Sequence, residues 1–124
     1  MIITVVKFTP DASVSQQLLH RFRLEIVGGK YPPGEQFPTV RALAFVHSVN
    51  PNTVQKVLAL LEEDGLLINR GTVGRFVTED ENAIAAVMRI LQADYLKKMK
   101  QDALALGITQ QQIAQFFQES EENT

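Results

Sequence analysis

Apolar positions follow a helical period over most of the chain, and the period breaks at glycine, proline and asparagine. Residues 2–8 are β-branched and aromatic and predict a short strand or arm. Ser13 and Gln16 have the spacing of a capping box. Val14, Leu18, Phe22 and Ile26 then fall four apart, which predicts a helix stopped by Gly28-Gly29. Tyr31-Pro-Pro-Gly34 predicts a turn. Thr39 can cap a second helix that carries Val40, Leu43, Ala44 and Val46. Asn50-Pro51 places an N-cap before a proline at the first helical position of a third helix. That helix repeats Val54, Val57, Leu58 and Leu61 at i, i+3, i+4 and i+7, and Gly65 stops it. Residues 66–69 and 75–78 are strand candidates around Gly71-Thr-Val-Gly74, the pattern of a hairpin.

Two helices joined by a few residues, the second strongly capped, predict a helix-turn-helix, and a hairpin behind it makes a winged helix. The pattern changes after Thr78. Thr78 and Glu81 form another capping-box pair, and nothing breaks a helix from there to Leu106, with Gly107 as its stop. Within 83–99, 12 of 17 residues are apolar, too many for one stripe, so this helix needs cover on two sides. Thr109 and Gln112 cap a short last helix with Ile113, Phe116 and Phe117 on one face. One small domain cannot cover that surface and a second subunit can. The fold class expected is therefore mainly α with a small β-hairpin: a winged-helix domain over 1–78 and a two-helix dimerisation arm over 79–124. Ile84, Val87, Met88, Leu91, Tyr95, Phe116 and Phe117 are its expected contact residues. The competing reading is a compact monomer with the long helix folded back.

Composition removes several classes of function. The 124 residues hold no cysteine, which excludes disulfides and thiolate chemistry. No apolar run approaches a membrane span, and residues 1–7 lack the form of a signal peptide, so no membrane partner is expected and the location expected is cytoplasmic. No nucleophile–base pair, metal cluster or phosphate loop is visible, so neither catalysis, metal nor cofactor is expected. His20 and His47 read as packing or surface residues, and Glu62-Glu63-Asp64 as a solvated helix end. Gly71 and Gly74 have the spacing of a KH-type clamp, but strands rather than helices flank them. The 46 residues after Thr78 are too few to enclose a pocket of roughly 300 Å³ unaided, so no small-molecule effector is assigned.

Charge points to a partner. Residues 1–78 carry eight Lys and Arg against six Asp and Glu, whereas 79–124 carry four against eight. The mildly basic front suits a polyanion, and the third helix has the residues to read one. Asn50, Asn52, Thr53, Gln55 and Lys56 fill its first turn and a half. Asn and Gln pair bidentately with adenine, and Lys takes guanine or a phosphate. Asn52, Gln55 and Lys56 lie off the apolar stripe. Arg41 falls near the groove edge, and Arg70 and Arg75 flank the wing tip. Double-stranded DNA is the expected partner. A winged-helix module that binds protein instead is the alternative, favoured by the small basic surplus.

Taken together, the motifs over roughly residues 13–78 resemble the GntR family of bacterial transcription regulators. They are Pro33-Gly34, Phe37-Pro38-Thr39-Val40-Arg41-Ala42-Leu43-Ala44, Val49-Asn50-Pro51-Asn52-Thr53-Val54, Leu61-Glu62-Glu63-Asp64-Gly65-Leu66-Leu67, and Arg70-Gly71 with Gly74-Arg75-Phe76-Val77. Asn50-Pro51-Asn52-Thr53-Val54 looks most like the short YtrA-like subfamily. The resemblance implies DNA contacts from Arg41, the turn at 50–53 and wing residue Gly71, and suggests transporter genes as a target. Thr39 is a further expected contact. Because a two-fold dimer would present two third helices to two half-sites, the action expected is repression by a homodimer on an inverted repeat. The chain departs from the family pattern in places. Ser13-Val-Ser-Gln-Gln17 stands where Pro-x-Tyr before glutamine is usual, and the wing is one residue longer, with Arg75 in place of threonine. Val57 and Leu58 replace a common Ala-Tyr pair.

Overall fold

Ser13 opens α1 (Val14–Val27) with the expected capping box: its hydroxyl accepts from the Gln16 amide at 3.1 Å, and the Gln16 side chain accepts from the Ser13 amide. The computed structural model describes residues 3–10 and 12–122. Leu18, Phe22 and Ile26 of α1 are buried, together with Glu25. Val14 is exposed, contrary to the expected stripe. A strict four-residue spacing drifts about 40° per step around a helix, so Val14 stands about 120° away from Ile26. Glu25 takes the inner position instead, with its carboxylate held by Lys30 Nζ at 2.6 Å.

Thr39 caps α2 (Val40–His47) by accepting from the Ala42 amide at 3.1 Å. Leu43, Ala44 and His47 are its buried positions, while Val40 and Val46 are half-buried. Asn50 caps α3 (Pro51–Glu63). Val54, Val57, Leu58 and Leu61 of α3 are all fully buried, and α1 and α2 pack against them. β1 (Leu67–Asn69) follows and pairs antiparallel with β2 (Arg75–Val77), Leu67 opposite Val77 and Asn69 opposite Arg75. A 3-10 turn over Gly71–Val73 takes up the extra wing residue. The segment before α2 also joins the hairpin, which the sequence did not foretell. Gln36 bridges to Phe76, with Phe37 N donating to Arg75 O at 2.8 Å. Residues 3–8 form no strand and run as an arm: Val6 N donates to His47 Nδ1 at 3.3 Å and Lys30 Nζ to Thr4 Oγ1 at 2.6 Å. Ile2 lies outside the described residues.

The aromatic residues tie the turn to the helices. Tyr31, fully buried, has its ring centroid 4.8 Å from that of Phe37, which meets the Phe22 ring edge-on at 5.4 Å. Burial first, then Glu25 and Glu35, pushes the Tyr31 hydroxyl up to about 12. His47 sits 5.8 Å from Phe22, and burial pulls its pKa below the usual value despite the opposing pull of Glu25, with Lys30 adding to the lowering. The helix end at Glu62-Glu63-Asp64 is not simply solvated. Arg23 forks onto Asp64 at 2.7 and 2.9 Å, joining α1 to the end of α3, and Glu62 holds Arg75 at 3.0 Å.

The chain divides into two compact units, Met1–Met88 and Arg89–Thr124. The division falls inside α4 (Glu81–Ala105), ten residues beyond Thr78. Asp80, not Thr78, makes the turn into α4: its side chain accepts from Asn82 N at 3.0 Å, while Thr78 Oγ1 accepts from Asp80 N. The first turns of α4 belong to the winged unit, where Ala83 lies over Gly65 and Val87 is buried. In the second unit α4 ends at Gly107, whose φ of 71° suits glycine, with Ile108 N closing on Ala103 O at 2.8 Å. α5 (Gln110–Glu122) opens with the expected capping box, Gln112 N donating to Thr109 Oγ1 at 3.1 Å and Thr109 N to Gln112 Oε1 at 2.8 Å.

Candidate nucleic-acid interface

The turn between α2 and α3 is three residues long, Ser48 to Asn50. Ser48 takes a left-handed conformation, φ 54°, which turns the chain sharply out of α2. Asn50 Oδ1 accepts from Asn52 N at 2.8 Å, so this side chain is committed to the backbone. Pro51, at the first helical position, has no N–H to satisfy. With the opposite face of α3 sealed in the core, Asn52, Gln55 and Lys56 are exposed and Thr53 is half-buried. Arg41, at the second position of α2, is exposed, and Thr39 beside it is spent on its cap.

The wing is built differently at its two arginines. Arg70 is exposed and its guanidinium lies over the Phe76 ring at 4.9 Å, which stiffens it. Arg75 is largely buried, and its Nε donates to Glu62 of α3 at 3.0 Å. It braces the wing against α3, so DNA contact from Arg75 has to compete with that pair. Gly71 has φ 64° and its amide donates to Asn69 Oδ1 at 2.9 Å, forming the tip. Gly74 has φ 119°, and a Cβ there would lie 2.6 Å from Gln36 Nε2. Gln36 in turn donates to Val73 O at 3.0 Å and holds the tip from beneath. Neither Gln36 nor Glu62 was legible as a support, because both act through partners distant in sequence. Arg41, Lys56 and Arg70 have no carboxylate partner among the described residues.

The expected dimerisation residues separate into two groups. Val87 is buried within the winged unit, and Ile84, Met88 and Leu91 are half-buried. Tyr95 is 66% exposed, Phe116 65% and Phe117 53%, together with Leu96, Leu104 and Leu106. The Phe116 and Phe117 rings meet edge-on, 5.9 Å apart, on the surface of α5. Among the described residues no cluster of His, Asp or Glu has metal-binding form, and no described helix is long and apolar enough to cross a membrane.

Comparison with known proteins places these features. The model of the gntR family of bacterial regulatory proteins matches residues 14–77. The chain is similar to a GntR family transcriptional regulator from Listeria monocytogenes, at 30% identity and TM-score 0.79, over 90% of this chain and 98% of that one. It is 24% identical to the HTH-type transcriptional repressor YtrA of Bacillus subtilis (strain 168), over 93% of this chain and 91% of the relative. The crystal structure of AraR(DBD) in complex with an operator is 25% identical with TM-score 0.55, over 61% of this chain and 96% of that one.

Proposed function

For a chain that belongs to the GntR family of bacterial regulatory proteins, and is thus a DNA-binding transcriptional regulator rather than an enzyme, we propose that it represses transcription as a homodimer seated on an inverted-repeat operator. The observation that carries the reading is the division of α3. Four apolar side chains are sealed at zero exposure, and the opposite face presents Asn52, Gln55 and Lys56 on a rigid, capped first turn. A helix so fixed can enter a major groove with its base-reading groups pre-placed. Asn52 and Gln55, three apart, read neighbouring base pairs, Thr53 suits a phosphate or a thymine methyl, and Arg41 and Arg70 approach the edges of the site. Gly71 lets the wing tip come close to the backbone. Arg75 contributes chiefly by holding the wing in place.

Dimerisation supplies what one domain lacks. A surplus of two basic residues in 1–78 gives weak attraction to DNA, and two linked domains gain through effective concentration. The exposed Tyr95, Phe116 and Phe117 support the tail, residues 79–124, as the joining element. A two-fold pair presents two α3 helices to two half-sites. Repression is supported by the likeness to the YtrA repressor, and transporter genes remain the proposed target class. The complex of AraR(DBD) with an operator supports DNA as the partner, and the proposed site of action is the cytoplasm. A mobility shift with competitor duplex tests the reading. The double variant Asn52→Ala, Gln55→Ala should fold normally, keep low-salt binding to any duplex, and lose preference for the selected operator by ~1–3 kcal/mol per lost bidentate pair in each half-site. Unchanged operator affinity in that variant would remove α3 as the reader.

A further inference from the structure

The first turns of α1 and α3 meet at a small cavity of about 150 Å³, lined by Ser15, Asn52, Thr53 and Lys56. All four side chains are polar, Ser15 and Thr53 are half-buried, and Asn52 and Lys56 are exposed. We propose that this cavity seats one phosphate of the bound DNA backbone, with Ser15 of α1 donating a hydrogen bond to it and Lys56 of α3 supplying the charge. The proposal rests on the DNA-binding reading and assigns a positioning role to Ser15, a residue on a helix that the reading does not use.

The chemistry of the walls selects an anion. Lys56 has no carboxylate partner among the described residues. Neither α1 nor α3 has an acidic residue in its first turn, so no carboxylate there opposes an anion beside these helix starts. The Ser15 hydroxyl lies 3.3 Å from the Ser13 hydroxyl, which already accepts from Gln16 N. Ser13 Oγ can donate its own proton to Ser15 Oγ, and the Ser15 proton then turns outward to an acceptor. Because the same cavity borders Asn52 and Thr53, an anion held there lies directly beside the base-reading turn, which is where a duplex brings its phosphates when α3 enters the groove. The arrangement also resolves the role of Lys56. Held by a phosphate together with Ser15, Lys56 fixes the register of α3 on the backbone and leaves base reading to Asn52 and Gln55.

The test uses the full chain, with fluorescence anisotropy against the selected operator and a shuffled duplex over a salt series, and circular dichroism as the folding check. Ser15 makes no hydrogen bond to the core and alanine favours a helix, so Ser15→Ala should fold as the parent does. It should weaken binding to both duplexes equally, roughly a hundredfold or more as two half-sites each lose a hydrogen bond to a charged group, with the salt slope unchanged because no charge is lost. Lys56→Gln should weaken both duplexes and reduce the slope by about two, one per half-site. Ser15→Asp, which sets a carboxylate against the phosphate, should lose more than Ser15→Ala on both. A neutral methylphosphonate at the seated phosphate should weaken the parent, and should weaken Ser15→Ala by a smaller factor that reflects Lys56 alone. If Ser15→Ala and Ser15→Asp bind as the parent does while Arg41→Ala binds more weakly, the DNA reading stands and the phosphate seat is wrong. If the parent prefers no duplex over any other, the DNA reading itself fails and takes the seat with it.

Discussion

Arg23 and Arg75 each give up a charge that could have faced a polyanion in order to hold the winged unit together. Arg23 meets Asp64 through two parallel hydrogen bonds at 2.7 and 2.9 Å, a geometry that only a guanidinium supplies. Arg23→Lys should therefore lower stability by about 1 kcal/mol despite conserving charge, as read from the urea midpoint at unchanged slope; a midpoint equal to the parent's would show that the fork carries no weight. His47 is a different case. It is buried in neutral form, with Nδ1 accepting from the arm at Val6 N, and its folded pKa lies below the usual value through desolvation. The unfolded chain then binds more protons than the folded one just below pH 6.5, so stability falls as pH drops through that window. Melting temperature should decline between pH 7 and 5.5 in the parent and less so in His47→Gln; equal declines would place the pH dependence elsewhere.

At the level of the elements, the interior of α3 and the caps could be read from the chain because both are local. Val54, Val57, Leu58 and Leu61 declare one helical face, and Asn50-Pro51 and Thr109 with Gln112 declare helix starts through contacts only a few residues long. The departures arise where the partner is remote. The β-branched arm at 3–8 had strand composition but is tied to the winged unit by single hydrogen bonds, Val6 N to His47 and Lys30 to Thr4, instead of a strand ladder. Thr78 resembled the cap of α4, yet it is buried and its hydroxyl serves Asp80, which takes over that task two residues later. The candidate interface was legible in the same measure. The exposed side chains of the first turn of α3 follow from its stripe, whereas the engagement of Arg75 by Glu62, the brace at Gln36 and the place of Ser15 beside Lys56 follow only from the packing of helices far apart in sequence.

At the scale of the whole molecule, the proposed dimer brings two α3 helices together through the tails of its two protomers. Val87 is buried in the winged unit, so of the expected contact residues those left exposed for a partner subunit are Tyr95 and, on α5, Phe116 and Phe117. Replacing these three with serine should give a monomer by sedimentation and lower operator affinity steeply while leaving the winged unit folded; a dimer that survives the change would move the interface to another surface. The most direct measurement of the central claim is selection of bound fragments from random duplex DNA by the intact chain. A single half-site should be enriched in two inverted copies, centred about one helical turn, roughly 10–10.5 bp, or a multiple of it apart. Recovery of a lone half-site, of direct repeats, or of no enriched sequence would contradict a two-fold reader built on α3.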